Sequence, residues 1–290
     1  MRRVVCAAVL GASCGGVAAM GAQPANELRA KLETRLAGVV GRVDGVVGYE
    51  ILDLTSNERI AHLERETFPT ASAIKLAIVY ELFKQAGDGR IKLEEPVTLD
   101  RAKAVGGSGV LVHMGTPTLS IRDYATLMVT LSDNTATNVL IDRLGMADIS
   151  RRMQQLGLAG TKLRRHMMDG AAARRGDENV STPDELVGLL RALQSMPDAI
   201  TLLKLPKENR LRRGLPAGVD SADKSGELDG VRVDAGVVFL KNRPYVFAVM
   251  ATYLKDDEEG ERAITEMSRA SYEYFERLAT SGVAGRRIGD

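Results

Sequence analysis

Hydrophobic positions recur at helical spacing over Asn26–Val43, where Leu28, Leu32, Leu36 and Val40 share one face and Asn26 is placed to cap the helix start. The pattern then changes. Gly45–Leu54 (GVVGYEILDL) is β-rich, and Glu58–Leu63 alternates apolar and polar residues beyond a Thr-Ser-Asn turn, which predicts a hairpin. From Ser72 to about Leu205 the period is helical again, over Ser72–Gln85, Ile121–Leu131, Thr135–Leu144, Ala147–Leu156 and Pro183–Leu193. After Pro216 strands return at Ser221–Leu228, Asp234–Leu240 and Tyr245–Tyr253, and a charged helix, Glu258–Leu278, follows. Strands and helices that are segregated rather than alternating argue for an α+β fold. The expected architecture is an antiparallel sheet built from both chain ends, with flanking helices and an inserted all-helical domain. In residue numbers, the sheet domain covers 26–68 and 206–282, and the inserted domain 69–205.

Residues 1–22, MRRVVCAAVLGASCGGVAAMGA, combine Arg2 and Arg3, a short apolar core and a small-residue exit, the build of a secretory signal peptide. The apolar run is too short and Gly-rich for a stable membrane span. Cleavage fits after Ala19 or after Ala22. Lipidation at Cys14 fits less well than simple export to the periplasm or medium, because Gly11-Ala12-Ser13 departs from the usual Leu-first pattern. Cys6 and Cys14 both lie in this segment, so the exported chain would hold no cysteine, no disulfide and no cysteine nucleophile.

Composition then narrows the field. The 290 residues are 44% hydrophobic and 27% charged, an ordinary globular balance. Removing Arg2 and Arg3 leaves 37 basic residues against 38 acidic, a net charge of −1, which argues against nucleic acid as a partner. His62, His113 and His166 are widely separated and lack metal-ligand spacing, so neither a metal nor another cofactor is expected.

Three short motifs carry chemistry. In Phe68-Pro69-Thr70-Ala71-Ser72-Ala73-Ile74-Lys75, Pro69 and Thr70 mark a helix start, and Lys75 falls on the same face as Ser72. A buried lysine of lowered pKa can serve as base to a serine hydroxyl, although most such pairs are solvated helix residues. Ser132-Asp133-Asn134 lies in a polar break between two helical stretches, where a capping turn is the simplest explanation. Lys224-Ser225-Gly226 lies on a late strand; Gly226 permits close backbone approach, although an edge lysine beside a bulge glycine would look the same.

Together and in this order, the three sets match those of class A β-lactamases and penicillin-binding proteins. The chain resembles the class A β-lactamase superfamily, with FPTASAIKLAIVYELF, TLSIRDYATLMVTLSDNTATNVLIDRLG and ADKSGELDGVRVDAGVVF as the supporting stretches. The likeness runs from about Asn26 to the final helix. It implies that Ser72 is acylated, that Lys75 is its base or proton shuttle, and that Ser132 passes a proton to the leaving nitrogen. It also implies that Asn134 contacts the substrate amide, that Asp133 braces the loop, and that Lys224 and Ser225 position Ser132 and the substrate carboxylate. The oxyanion hole would use the amides of Ser72 and Glu227, each donor worth about 3 kcal/mol.

Two departures stand out. Placing Thr161, Leu163 and Arg165 on their counterparts puts Met167 where the family carries the Glu that activates the deacylating water, and Ala171 where it carries an Asn. Asp169, Asp177 and Glu178 are alternative acids, more readily explained as solvated or paired with Arg164, Arg165 or Arg174, and Lys75 itself is a further candidate. Where the family holds a carboxylate-binding Arg, this chain has Asp234-Ala235-Gly236, with Arg232 two residues before. Arg210, Arg212 and Arg213 read as a solvated basic face, and Gly106-Gly107-Ser108-Gly109 as a loop on the cleft rim. The expectation is an exported, monomeric serine hydrolase acting through an acyl-enzyme on a small β-lactam or peptide-like substrate. A β-lactamase is the leading form; a D-amino-acid or cell-wall-type peptidase, an esterase, and a slowly deacylating penicillin-binding protein are the alternatives.

Overall fold

The computed structural model describes residues 23–282 and 284–288; the signal-peptide segment, with Cys6 and Cys14, lies outside them. Helix α1 (Gln23–Val40) leads into strands β1 (Val46–Asp53), β2 (Arg59–His62) and the short β3 (Phe68–Pro69). A 3-10 turn, Ala71–Ile74, opens helix α2 (Lys75–Gly87). The pair β4 (Pro96–Thr98) and β5 (Thr118–Ser120) precedes helices α3 (Ile121–Thr130), α4 (Asn134–Leu144), α5 (Met146–Gln155) and α6 (Gly170–Arg174). Strand β6 (Val180–Ser181) and helices α7 (Pro183–Leu193), α8 (Pro197–Lys204) and α9 (Arg210–Arg213) lead back to strands β7 (Ser221–Leu228), β8 (Val231–Val238) and β9 (Tyr245–Thr252), then helix α10 (Asp257–Ala279).

Five strands form one antiparallel sheet in the order β2-β1-β9-β8-β7, so the two ends of the chain meet along β1 and β9. Strand β9 shows why its sequence, YVFAVMAT, is almost continuously apolar. Tyr245, Phe247, Val249 and Ala251 face one core with Leu36 of α1 and Ile264, Met267 and Phe275 of α10. Val246, Ala248 and Met250 face the other, with Ile74, Leu76 and Leu186 from the helical side. Side chains alternate along a strand, so a strand covered on both faces loses the apolar–polar alternation.

The segment between β2 and β7 is mostly helical, as the periodicity predicts. It also carries the short pairs β3–β6 and β4–β5, too brief to leave a period-2 signature. Strand β8 begins at Val231, three residues earlier than predicted, because Asp229-Gly230 forms a two-residue hairpin turn with Gly230 at φ 69°. Helix α8 was not visible as a period either; only Ala199, Leu202 and Leu203 of its eight residues are buried. Among the described residues, no single helix is long and apolar enough to cross a membrane.

The central position of Phe247 predicts that Phe247→Ala costs about 3–5 kcal/mol of unfolding free energy, measured by denaturant titration.

Candidate active site

Ser72 occupies the 3-10 turn that opens α2, not the α-helix itself, and Ala71 before it takes φ 46°. A residue with a side chain is strained in that region. Ser132, in the break between α3 and α4, takes φ 53°, so two of the expected catalytic serines sit at or beside strained backbone. Asp133 accounts for the break. One of its oxygens accepts the Ala136 amide at 2.8 Å and caps α4; the other accepts the Val110 and Leu111 amides at 2.7 and 2.9 Å. It ties the break to the Gly106–Gly109 loop, the bracing role expected for it.

Lys75, at the first position of α2, is fully buried. Its amine donates to the Ser132 carbonyl at 2.7 Å, to Ser132 Oγ at 3.0 Å and to Asn134 Oδ1 at 3.1 Å. The amine is therefore held by the Ser132–Asn134 break rather than by the Ser72 hydroxyl. Burial pushes its pKa well below the usual lysine range, and the positive charge of Lys224 adds to the shift. Asn134 uses its other arm, Nδ2, on the Gly106 carbonyl at 3.1 Å, so its side chain is engaged at both ends.

Strand β7 forms the opposite wall. Gly226 lies so close to the Ser72 turn that a Cβ there would come within 2.5 Å of the Thr70 carbonyl and 2.8 Å of the Ser72 amide nitrogen. Glycine is required by the protein's own backbone contact, which brings the turn against the strand that carries Glu227. Lys224 is buried, and burial lowers its pKa to about 8. Its amine donates to the Ser225 carbonyl at 2.8 Å and not to Ser132. Ser72, Ser132, Lys224, Ser225, Gly226 and Glu227 line one cavity of about 280 Å³. Lys75 and Asn134 support it from behind, Asn134 also opening onto the neighbouring cavity.

That neighbouring cavity, about 610 Å³, also reaches Ser72 and is walled by Met167, Met168 and Ala173. The loop that carries the two methionines is closed at its neck: Asn179 Oδ1 accepts the Arg164 and Arg165 amides, and Arg165 pairs with Glu178 at 2.6 Å. Asn179 also anchors the loop to the Ser72 turn, since its carbonyl accepts the Thr70 amide at 2.9 Å. Asn138 of α4 clamps Met167 at both its amide (2.8 Å) and its carbonyl (3.1 Å). Met167, at the position expected to hold a carboxylate, is thus buried against the core while bordering the cavity.

The alternative acids do not replace it. Asp169 caps α6 by accepting the Ala172 amide at 2.9 Å, which holds its pKa low, and it does not line the cavity. Asp177 pairs with Arg175 at 3.4 Å; Glu178 borders the larger cavity, but its carboxylate is held by Arg165 at 2.6 Å. Arg232 is also committed, to Glu261 at 3.2 Å, to Asp257 at 3.1 Å and to the Leu228 and Val231 carbonyls.

Arg210 requires the opposite correction. It is buried rather than part of a solvated face, and it lines the Ser72 cavity. Asn209 starts α9 by capping the Arg212 amide, which turns Arg210 inward, and Asp234 of β8 accepts the Arg210 amide at 3.0 Å. Sequence spacing gave no sign of this, because a four-residue helix has no period to read. Asp234 is fully buried, with Oδ1 unpartnered, and burial raises its pKa to about 7.

A mostly helical insert on a five-stranded antiparallel sheet, with a serine, a buried lysine and a second serine converging on one cleft, defines a serine hydrolase of the β-lactamase and transpeptidase type. The model of the Beta-lactamase enzyme family matches residues 31–275, and the chain belongs to that family. It is 27% identical over 274 residues to beta-lactamase AST-1 of Nocardia asteroides, covering 89% of this chain and 88% of that one. A beta-lactamase of Sphaerobacter thermophilus superposes with a TM-score of 0.77 at 28% identity, covering 84% of this chain and 96% of that chain. PBP-A superposes with a TM-score of 0.78 at 29% identity, covering 86% and 97%; a point mutant of it has been captured as an acyl-enzyme complex with penicillin G.

The raised pKa of Asp234 makes stability depend on pH. Its contribution is fully present below its unfolded value of 3.8 and is lost as pH rises through about 7. Thermal unfolding from pH 4 to pH 8 should therefore show the wild type losing stability relative to Asp234→Asn.

Proposed function

We propose that this protein is acylated at Ser72 by β-lactams and then hydrolyses the acyl-enzyme slowly, with Lys75 serving both half-reactions. One observation carries the reading: a buried amine of lowered pKa lies 3.0 Å from Ser132 Oγ, while a methionine fills the site of the missing carboxylate. The neutral amine takes the Ser72 hydroxyl proton as Oγ attacks the lactam carbonyl. The resulting alkoxide faces the amides of Ser72 and Glu227. When the C–N bond breaks, Ser132 gives its proton to the leaving nitrogen and recovers one from the Lys75 ammonium. Lys75 is again neutral, ready to take a proton from water in the second step.

Acylation has a dedicated relay, whereas hydrolysis has only the same amine and an apolar neighbour at Met167. Hydrolysis is therefore the slow step. The similarity to PBP-A favours a second reading, in which cell-wall-type peptides are the natural acyl donors and β-lactams act as long-lived inhibitors. The N-terminal segment supports a site of action outside the cytoplasm in either case.

Intact-mass measurements with excess penicillin separate these readings. The wild type should accumulate an adduct that decays with measurable substrate loss, and Ser72→Ala should form none; an adduct on Ser72→Ala overturns the nucleophile. Met167→Glu should shorten the adduct lifetime by about a hundredfold or more, the gain expected from a positioned base. An adduct on the wild type that never decays would favour the inhibitor reading.

The acylation rate should rise with pH as Lys75 loses its proton, because only the neutral amine accepts one. For an anionic penicillin it should fall again near pH 8, where Lys224 discharges. Stopped-flow acylation with a neutral ester substrate should lack the alkaline limb.

A further inference from the structure

Among the described residues, Arg210 carries the one buried guanidinium on the wall of the smaller Ser72 cavity, and the structure shows it already occupied. Its NH2 donates to Glu227 Oε2 at 2.5 Å and to Glu261 Oε1 at 2.9 Å. The two carboxylates differ in kind. Glu261, on α10, also pairs with Arg232 at 3.2 Å and Arg213 at 3.5 Å, so three arginines fix it. Glu227 sits on the edge strand β7, and its side chain is 61% exposed. Among the described residues its only ionic partner is Arg210. A carboxylate that exposed gives up little solvation when it swings away, whereas Glu261 would leave three cations behind.

We propose that Glu227 is a specificity-determining residue: its carboxylate stands in for a substrate carboxylate on Arg210 and so weakens binding of anionic acyl donors relative to neutral ones. An anionic substrate that reaches for Arg210 must first displace Glu227, or else bind with a like charge beside it. A neutral ester or amide meets neither obstacle. The residue after Lys224-Ser225-Gly226 thus has two separable functions, its amide facing the oxyanion position and its side chain screening the cavity's buried arginine. The proposal rests on Ser72 being the acylated serine, since that fixes where the substrate lies.

The test compares benzylpenicillin with its methyl ester in a Ser72→Ala background, where neither can acylate and NMR titration gives both dissociation constants. Adding Glu227→Gln should raise the preference for the acid over the ester by about tenfold, equivalent to about 1.4 kcal/mol. Glu227→Ala, which keeps only the backbone, should move the ratio in the same direction. A ratio that stays within twofold of the parent in both variants, or that falls, overturns the proposal. Intact-mass labelling of the protein with Ser72 present decides the nucleophile separately, so a failure of that assignment is not confused with a failure of this one.

Discussion

Everything at this site depends on burying the Lys75 amine. A lysine head removed from water must either find acceptors or lose its proton, and here it does both in part. Three oxygens from the Ser132–Asn134 break converge on it, while its pKa falls. The break between α3 and α4 must therefore be held in place for all three contacts to form. Asp133 fixes it from one side, through α4 and the Gly106–Gly109 loop. The strained φ of Ser132 is the local cost of aiming a hydroxyl and a carbonyl at the same amine.

The second constraint is the contact between the Ser72 turn and β7. Gly226 removes the side chain that would hold the two backbones apart, and Thr70 ties the same turn to the loop bearing Met167. The Ser72 turn is thereby clamped between a sheet edge and a closed loop. The sheet edge is itself held by two cores, one on each face of β9. Geometry at Ser72 is thus a product of packing across the molecule, which holds side chains from α2, the α3–α4 break and β7 together although they lie far apart in sequence.

The charge distribution divides the cleft into two unlike regions. Toward α9 and α10 lie Arg210, Lys224, Glu227 and Glu261, a dense set of partnered charges around a small cavity. Toward the Met167 loop a larger cavity is bordered by Met167, Met168 and Ala173 together with the ion-paired side chains of Arg165, Glu178 and Arg232. Both serines and Lys224 border the smaller cavity, whereas Met167 and Met168 border the larger one. The two regions meet at Ser72, which lines both.

The sequence by itself determined the fold class, the order of the elements and the three motifs, because these rest on local rules: 3.6-residue and 2-residue periods, caps, and short spacings such as Ser72 to Lys75. It also put Met167 at the position where the family resemblance implies a carboxylate. Tertiary structure alone decided what each side chain touches. It placed the Lys75 amine on Ser132 and Asn134, assigned Asp169 to a helix cap, and tied Arg232 to α10. It also turned Arg210 from an apparent surface residue into the cavity's buried cation. The Arg210 outcome depends on Asp234, Glu227 and Glu261, which lie 17 to 51 residues from it in the chain. No local pattern encodes such distances; they are set when the sheet closes and its two cores pack.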